Sequence, residues 1–157
     1  MYSHFGYNLK ATDMQAAIGC AQIEKFPTFV EKRKKNWKYL YEGLKDSSDR
    51  LILPESVENG DPSWFGFMIT CKEPDTRNKL VQYIESNKIQ TRALFAGNLT
   101  AHPCFDQMRS QKKGYRIASS LEVTDRIMND TFWLGVYPGM SDAMLDKMIS
   151  VIKQGLA

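Results

Sequence analysis

The sequence predicts a mixed α/β fold of the α+β type, in which a small, mostly antiparallel sheet carries helices on one face. Two long helical patterns open the chain, and short strand-like segments alternate with helices after them. Only three or four segments have the character of strands, which favours a small sheet covered by helices over a larger layered architecture. A length of 157 residues suits a single domain with a core of its own.

The first half of the chain is predicted to contain three helices. Thr12 is a suitable N-cap for a helix over residues 12–25, and the small residues of that segment keep the helix slim. Pro27 suits the first turn of a second helix, which continues with apolar residues at helical spacing. A third helix is predicted between residues 75 and 87.

Four segments are predicted to form the sheet. Residues 51–54 have the character of a short edge strand that a proline ends. Residues 64–71 are nearly continuous apolar sequence, which is typical of a central strand covered on both faces. Residues 89–94 and 132–136 are expected to supply the other two strands.

The remaining segments are a long loop and two helices. Residues 95–117 are rich in Gly, Asn, His and Pro, and loops of this length in a compact domain are usually functional or contain short helices. A short helix is predicted over 121–128, and a closing helix over 141–156 with Ser141 as its N-cap. The closing helix is expected to bury one stripe of side chains: Met144, Leu145, Met148, Ile149 and Ile152.

Charge and cysteine content narrow the class of protein. The 21 basic and 18 acidic residues give a net charge of +3, which offers little support for binding to nucleic acid or membranes. Cys20, Cys71 and Cys104 match no zinc or iron–sulfur spacing, and their apolar surroundings predict buried free thiols. Their odd number favours a reducing, cytoplasmic location. Every apolar run is far shorter than the ~20 residues of a membrane span.

The most informative motif lies at the start of the chain, where residues 6–17 read Gly-Tyr-Asn-Leu-Lys-Ala-Thr-Asp-Met-Gln-Ala-Ala. This motif resembles the segment leading into the C-terminal small domain of the DegT/StrS family, whose members are pyridoxal-phosphate (PLP) enzymes acting on nucleotide-linked keto sugars. Residues 91–100 and 129–139 resemble one branch of that family more specifically. This branch contains the sugar 3-dehydrases of the CDP-4-keto-6-deoxyglucose 3-dehydrase type, which make 3,6-dideoxyhexoses for lipopolysaccharide O-antigen.

The resemblance implies the C-terminal domain of a fold-type I PLP transferase. Residues 1–157 would form one domain at the C-terminal end of a longer enzyme, with residues 1–25 as a linking and interface helix and residues 26–157 as the small domain. The whole enzyme would use PLP or its amine form to remove the C3 hydroxyl of a nucleotide-linked 4-keto-6-deoxyhexose. The resemblance implies a homodimer, and it leaves open a reductase partner and a 2Fe-2S cluster on cysteines upstream. It places no catalytic residue in these 157 residues, which we expect to be inactive alone.

The resemblance also assigns cofactor contacts to the first motif. The asparagine that matches Asn8 reaches across the dimer in this family and donates a hydrogen bond to the PLP phosphate of the partner subunit. Lys10 can add positive charge for the same phosphate or for the nucleotide diphosphate, although a role as a surface lysine fits the sequence equally well.

Five residues are predicted to contact the substrate. Arg92 follows a strand and offers a planar guanidinium for phosphate or sugar oxygens, with a strand-edge salt bridge as the alternative. Gly97 permits close approach of the backbone, and Asn98 can bond to sugar hydroxyls. Phe95 offers an apolar wall for a ring face. His102 is the remaining candidate, and a lone histidine is more often structural than catalytic.

Several other assignments remain open in the sequence. A DegT-type sugar aminotransferase and a stand-alone, non-catalytic binding domain are the alternative functions. The basic run over residues 32–35 is predicted to be a solvated helix face, with a surface for an anionic sugar nucleotide as the alternative. No metal site is expected. The remaining side chains considered are predicted to act as isolated caps or surface charges (Asp106, Asp125, Asp130) and in packing (Trp37, Trp64, Trp133).

Overall fold

The computed structural model describes residues 11–156 and orders them as helices and strands in close agreement with the sequence pattern. The helices are α1 (Asp13–Ile23), α2 (Phe26–Leu44), α3 (Thr76–Ser86), α4 (Asp106–Gln111), α5 (Glu122–Asp130) and α6 (Asp142–Leu156). The strands are β1 (Leu51–Ile52), β2 (Gly66–Cys71), β3 (Thr91–Ala93) and β4 (Thr131–Gly135). Short 3₁₀ turns lie at Lys45–Ser47, Leu99–Ala101 and Pro103–Phe105.

The four strands form one antiparallel sheet in the order β1-β2-β4-β3. The central pair places Phe67 opposite Leu134 and Ile69 opposite Phe132. Paired residues of an antiparallel sheet point to the same face, so these four side chains lie together on one side. The antiparallel sheet and the edge position of β1 are confirmed.

Within the described residues the helices cover one face of this sheet, and the other face is open around Met68. Along β2, Phe67, Ile69 and Cys71 are buried, whereas Met68 between them is 39% exposed. The prediction that this strand is covered on both faces is therefore wrong, because its continuous apolar sequence supplies one buried face and one open, partly apolar face. The core lies between the covered face and helices α2, α3 and α6.

Local capping signals in the sequence are confirmed at both ends of the chain. The Thr12 hydroxyl accepts a hydrogen bond from the backbone N–H of Gln15 at 3.3 Å, and the Thr12 N–H donates to Oε1 of the Gln15 side chain at 2.9 Å. Ser141 Oγ accepts from the Met144 N–H at 3.3 Å at the start of α6. The predicted stripe of α6 is wrong at Met144, which is 44% exposed because it lines an open groove instead of the core.

Helix α1 is separate from the core. None of its residues is buried, and Met14, Ile18 and Ile23 expose most of their apolar surface. The small side chains that keep the helix slim give it little to pack with, so tertiary burial adds little to its stability within these residues.

The cysteines divide into one buried and two exposed thiols. Cys71 ends β2 on the covered face, as its apolar context predicted. Cys20 and Cys104 are exposed, so the prediction of burial is wrong for both. Cys20 lies on helix α1, which has no buried residue, and Cys104 lies in the 3₁₀ turn Pro103–Phe105. The residues next to these cysteines in the sequence are apolar, but neither segment packs into the core.

This division predicts selective thiol chemistry. Burial raises the pKa of the Cys71 thiol from 9.0 to about 11, whereas Cys20 and Cys104 meet solvent. Dithionitrobenzoate at mildly alkaline pH should therefore modify two thiols rapidly in the folded chain and all three in denaturant. Rapid modification of all three in the folded chain would contradict the burial of Cys71.

The same shift has a consequence for stability. Because the folded-state pKa of Cys71 lies above its unfolded value, the folded chain keeps a proton that the unfolded chain releases. The contribution of the protonated Cys71 thiol to the free energy of unfolding should therefore be intact below pH 9.0. It should be lost as the pH rises towards about 11.

Candidate functional site

The open face of the sheet presents an aromatic surface centred on Trp133. Arg92 and Met68 both pair with Trp133 across the strands, so all three side chains lie on this face. The guanidinium carbon of Arg92 lies 5.6 Å from the Trp133 ring centroid. Phe65 meets the same ring edge-on, with centroids 5.3 Å apart. Arg92 is thus held over an indole, and the described residues show no ion pair for it.

Trp133 is itself held in a fixed orientation. Its indole Nε1 donates a hydrogen bond to the carbonyl oxygen of Ala93 at 3.2 Å, across the β3–β4 pair. Gly66 on the neighbouring strand leaves room for the ring, since a Cβ there would lie 2.6 Å from the indole. The prediction that Trp133 serves in packing is therefore incomplete, because the ring also forms the floor of an open surface.

A groove of about 410 Å³ runs along this open face. Its walls are almost entirely apolar and are formed by Trp37, Trp64, Met68, Phe95 and Trp133, among others. Trp37 and Trp64 are in contact, with ring centroids 4.5 Å apart, and Trp37 also packs on Phe67 in the core. The groove therefore has a rigid aromatic wall of the kind that packs against the face of a sugar or another flat ring.

Phe95 forms the outer rim of this groove. It is 79% exposed and has a positive φ of 48°, which a non-glycine residue seldom adopts. Phe95 lies in the loop that follows β3, and its backbone N–H donates to the carbonyl oxygen of Ala93 at 2.9 Å. The structure thus places Phe95 and Arg92 on the same exposed face, and their contact with substrate stays a prediction.

The space beside Gly97 is filled by a side chain of this same protein chain. Its φ is 67°, and a Cβ at this position would lie 2.4 Å from Cγ of Met128. The backbone N–H of the next residue, Asn98, also points at the Met128 sulfur at 3.3 Å. The close approach that a glycine permits is therefore used here by Met128 of helix α5.

Asn98 has both ends of its amide occupied by the protein. Its Nδ2 donates to Oδ1 of Asp125 at 2.6 Å, and its Oδ1 accepts from the N–H and the hydroxyl of Thr100 at 3.1 and 2.7 Å. The residue is only 6% exposed. The prediction that Asp125 is isolated is wrong, because its carboxylate is the partner that fixes the Asn98 amide.

His102 closes the same loop. Its Nε2 lies 2.7 Å from the carbonyl oxygen of Ala96, so this nitrogen carries the proton and donates. Gly97, Asn98 and His102 are thus drawn into the internal bonding of residues 96–102, whereas Arg92 and Phe95 point outward. The predicted cofactor contacts Asn8 and Lys10 lie outside the described residues.

Two arginines that hold this region together were not predicted from the sequence. Arg109 of α4 donates to the carbonyl oxygens of Thr100 and His102 and pairs with Asp106, so Asp106 is not isolated either. Arg77 of α3 donates to the carbonyl oxygens of Met128 and Asn129 at 2.8 and 2.9 Å, which fixes the end of α5. The backbone carbonyl groups of a long loop need hydrogen-bond donors, and an arginine side chain can supply several of them. An arginine within the loop or on a neighbouring helix is therefore the signal that could have indicated these contacts.

Two further observations concern the described residues only. Across residues 11–156 there is no group of three or more His, Cys, Asp or Glu side chains arranged to hold a metal ion. In the same range no helix combines the length and the apolar character that a membrane crossing requires.

Comparison with known sequences places this architecture in a family. The profile of the DegT/DnrJ/EryC1/StrS aminotransferase family matches residues 1–153. The chain is 50% identical over 155 residues to the lipopolysaccharide biosynthesis protein RfbH of Salmonella typhimurium, covering 98% of this chain and 34% of that protein. It is 46% identical over 158 residues to a dTDP-4-dehydro-2,6-dideoxy-D-glucose 3-dehydratase of Saccharopolyspora spinosa, covering 99% and 33%.

Solved structures agree with the sequence comparison. The E. coli GDP-4-keto-6-deoxy-D-mannose-3-dehydratase with bound hydrated PLP superimposes with a TM-score of 0.77 at 25% identity, over 94% of this chain and 36% of that one. The chain spans about a third of the length of these relatives. The predicted resemblance and fold class are both confirmed: the chain belongs to the DegT/DnrJ/EryC1/StrS aminotransferase family.

Proposed function

We propose that this chain is the C-terminal domain of a PLP-dependent nucleotide-sugar 3-dehydratase. The whole protein removes the C3 hydroxyl of a nucleotide-linked 4-keto-6-deoxyhexose during dideoxysugar synthesis for lipopolysaccharide. The observation that carries this proposal is identity of 50% and 46%, over nearly the whole chain, to RfbH and to a sugar 3-dehydratase. The aromatic groove on the open sheet face supports it, because such a wall suits a deoxygenated sugar ring with an apolar face.

Two of the predicted residues have the exposure that direct contact with the substrate needs. We propose that the sugar packs against Phe95 and Trp133, with the guanidinium of Arg92 directed to its anionic end. For Gly97, Asn98 and His102 we propose an indirect role. Their internal contacts fix the loop that carries Phe95, so they position the rim of the groove.

The apolar groove does not by itself form a PLP site. The side chains lining the apolar groove include no lysine or histidine and only one carboxylate, Glu55. The groove therefore offers no cationic side chain to hold the cofactor phosphate. When bound, PLP supplies an electron sink for carbanion chemistry. We propose that residues outside this chain hold most of the cofactor and that Asn8 completes the site of the partner subunit.

The role of Asn8 gives a direct test in the full-length protein. Replacing Asn8 by alanine removes a neutral donor to the phosphate and is expected to weaken PLP binding about tenfold, since a hydrogen bond to a charged group is lost. Absorbance titration with PLP measures the effect, and Thr12→Ala, which changes only the α1 cap, is the control. Equal PLP affinity in Asn8→Ala and the parent protein would remove Asn8 from the cofactor site.

Further properties of the whole protein are proposed on the family resemblance. They are a homodimer, a reductase partner, a 2Fe-2S cluster on cysteines outside these 157 residues, and a cytoplasmic location. The exposed apolar side chains of α1 support the proposal of a homodimer, because another protein surface could bury them. Met14, Ile18 and Ile23 lie on this helix, which has no buried residue. Sedimentation and iron analysis of the full-length protein test the first and third of these proposals.

The activity itself is tested by the product. The full-length protein, loaded with the amine form of PLP, is incubated with a nucleotide-linked 4-keto-6-deoxyhexose and a reductant, and the sugar is identified by mass spectrometry. Loss of the C3 oxygen supports the proposal. An amino sugar would instead assign a sugar aminotransferase, and a full-length protein that binds the sugar nucleotide without PLP-dependent turnover would indicate a binding domain.

A further inference from the structure

A second groove, of about 760 Å³, lies at the end of the sheet beside the aromatic groove. It is bounded by the start of β3, the end of β4, the N-terminal half of α2 and the first turns of α6. Phe65 and Trp133 line both grooves, so the two are adjacent. A ligand with its ring on the aromatic wall would therefore have the second groove beside it.

The second groove is strongly basic. Four cationic side chains line it, Arg33, Lys88, Arg92 and Lys147, and no aspartate or glutamate does. Within the described residues none of the four belongs to a salt bridge. Four cations from four separate chain segments thus share one cavity without a neutralising carboxylate, which raises the local concentration of anions.

Arg33 gives this groove a second and independent feature. Its Nε is buried and has no hydrogen-bond partner in the protein. A buried donor without an acceptor is costly, so such a group indicates an acceptor supplied from outside the chain. The run over residues 32–35 is therefore not uniform, because Lys32 and Lys35 are exposed to solvent and Arg33 lines the groove.

Tyr137 adds an aromatic side to the same cavity. Its carbonyl oxygen accepts a hydrogen bond from Nδ2 of the buried Asn36 at 2.8 Å, which fixes the turn after β4. Tyr137 as a residue is 47% exposed and lines the groove. A ring in this place can stack on a base or a ribose next to the cationic side chains.

We propose that this basic groove binds the diphosphate of a nucleotide-linked sugar, with Arg33, Lys88, Arg92 and Lys147 as its cationic contacts. The proposal rests on the proposed function, because the aromatic groove then holds the sugar and the basic groove holds the diphosphate that follows it. Arg92 lies at the junction, over the indole that both grooves share. Tyr137 faces the nucleoside.

The proposal is tested by calorimetric titration of the 157-residue chain with CDP, dTDP, GDP and inorganic pyrophosphate at low and high salt. Replacing Arg33 or Lys147 by glutamine is expected to weaken nucleoside diphosphate binding about tenfold each, because each removes one charged contact. Lys32→Gln and Lys35→Gln are the matched controls, since they remove the same charge from exposed positions of the same helix. Lys147 is exposed, so its variant remains informative if the Arg33 variant does not fold.

Three outcomes would overturn the proposal. They are the absence of saturable binding by any nucleoside diphosphate, binding of pyrophosphate as tight as that of every nucleoside diphosphate, and equal weakening in the control and groove variants. Each concerns the groove alone, because the titration involves neither PLP nor turnover. The full-length protein could still show dehydratase activity after any of these three outcomes. Failure of the proposed diphosphate site is therefore distinguishable from failure of the proposed function.

Discussion

Replacing Phe67 by alanine is expected to lower the free energy of unfolding by about 3–5 kcal/mol. Phe67 is fully buried at the centre of β2, where it faces Leu134 of β4 in the same register. Its ring centroid also lies 5.3 Å from that of Trp37 on helix α2. The substitution leaves a cavity where sheet and helix meet, and neither element can move without breaking the other contact. A single domain is usually stable by only about 5–15 kcal/mol, so much of the total is lost.

Urea denaturation followed by circular dichroism measures this loss, and the adjacent residue provides the control. Met68 occupies the same strand but points to the open face and is 39% exposed. Met68→Ala should therefore change the free energy of unfolding by less than about 1 kcal/mol. Similar losses in both variants would mean that both faces of the sheet are covered in solution and would contradict a one-sided core.

Replacing Asn98 by alanine is expected to lower the free energy of unfolding by about 2–3 kcal/mol, without any ligand present. The substitution removes three hydrogen bonds at once, two from Thr100 and one to the Asp125 carboxylate. Because the site is buried, the groups left behind cannot easily regain water. Loss of these bonds should also release the loop that carries Phe95.

The partner of Asn98 makes the test specific. In a double-mutant cycle, Asn98→Ala combined with Asp125→Ala should cost clearly less than the sum of the single variants, because the two share one hydrogen bond. Leu99→Ala is the control, since Leu99 is largely exposed. Unchanged stability in Asn98→Ala, together with lost binding of the sugar nucleotide, would instead restore Asn98 as a direct substrate contact.

These two residues show where prediction from sequence succeeds and where it stops. The strand around Phe67 was predicted because a run of apolar residues is a local property of the sequence. That only one of its faces is covered depends on where the helices pack. For Asn98, a loop asparagine next to glycine carries the same local signal whether it binds a sugar or Asp125, which lies 27 residues away. A contact between residues so far apart in the sequence leaves no periodic pattern from which it could be predicted.

The sequence by itself determined the order of the elements, the Thr12 and Ser141 caps and the family to which the chain belongs. Each of these depends on residue type, hydrophobic spacing or a contiguous motif, which are complete within a short stretch of chain. Tertiary structure alone decided which of the three cysteines is buried, which loop residues are occupied by Met128 and Asp125, and which member of the basic run lines a groove. These outcomes depend on burial and on partners from distant segments, and both arise only when the helices close over one face of the sheet.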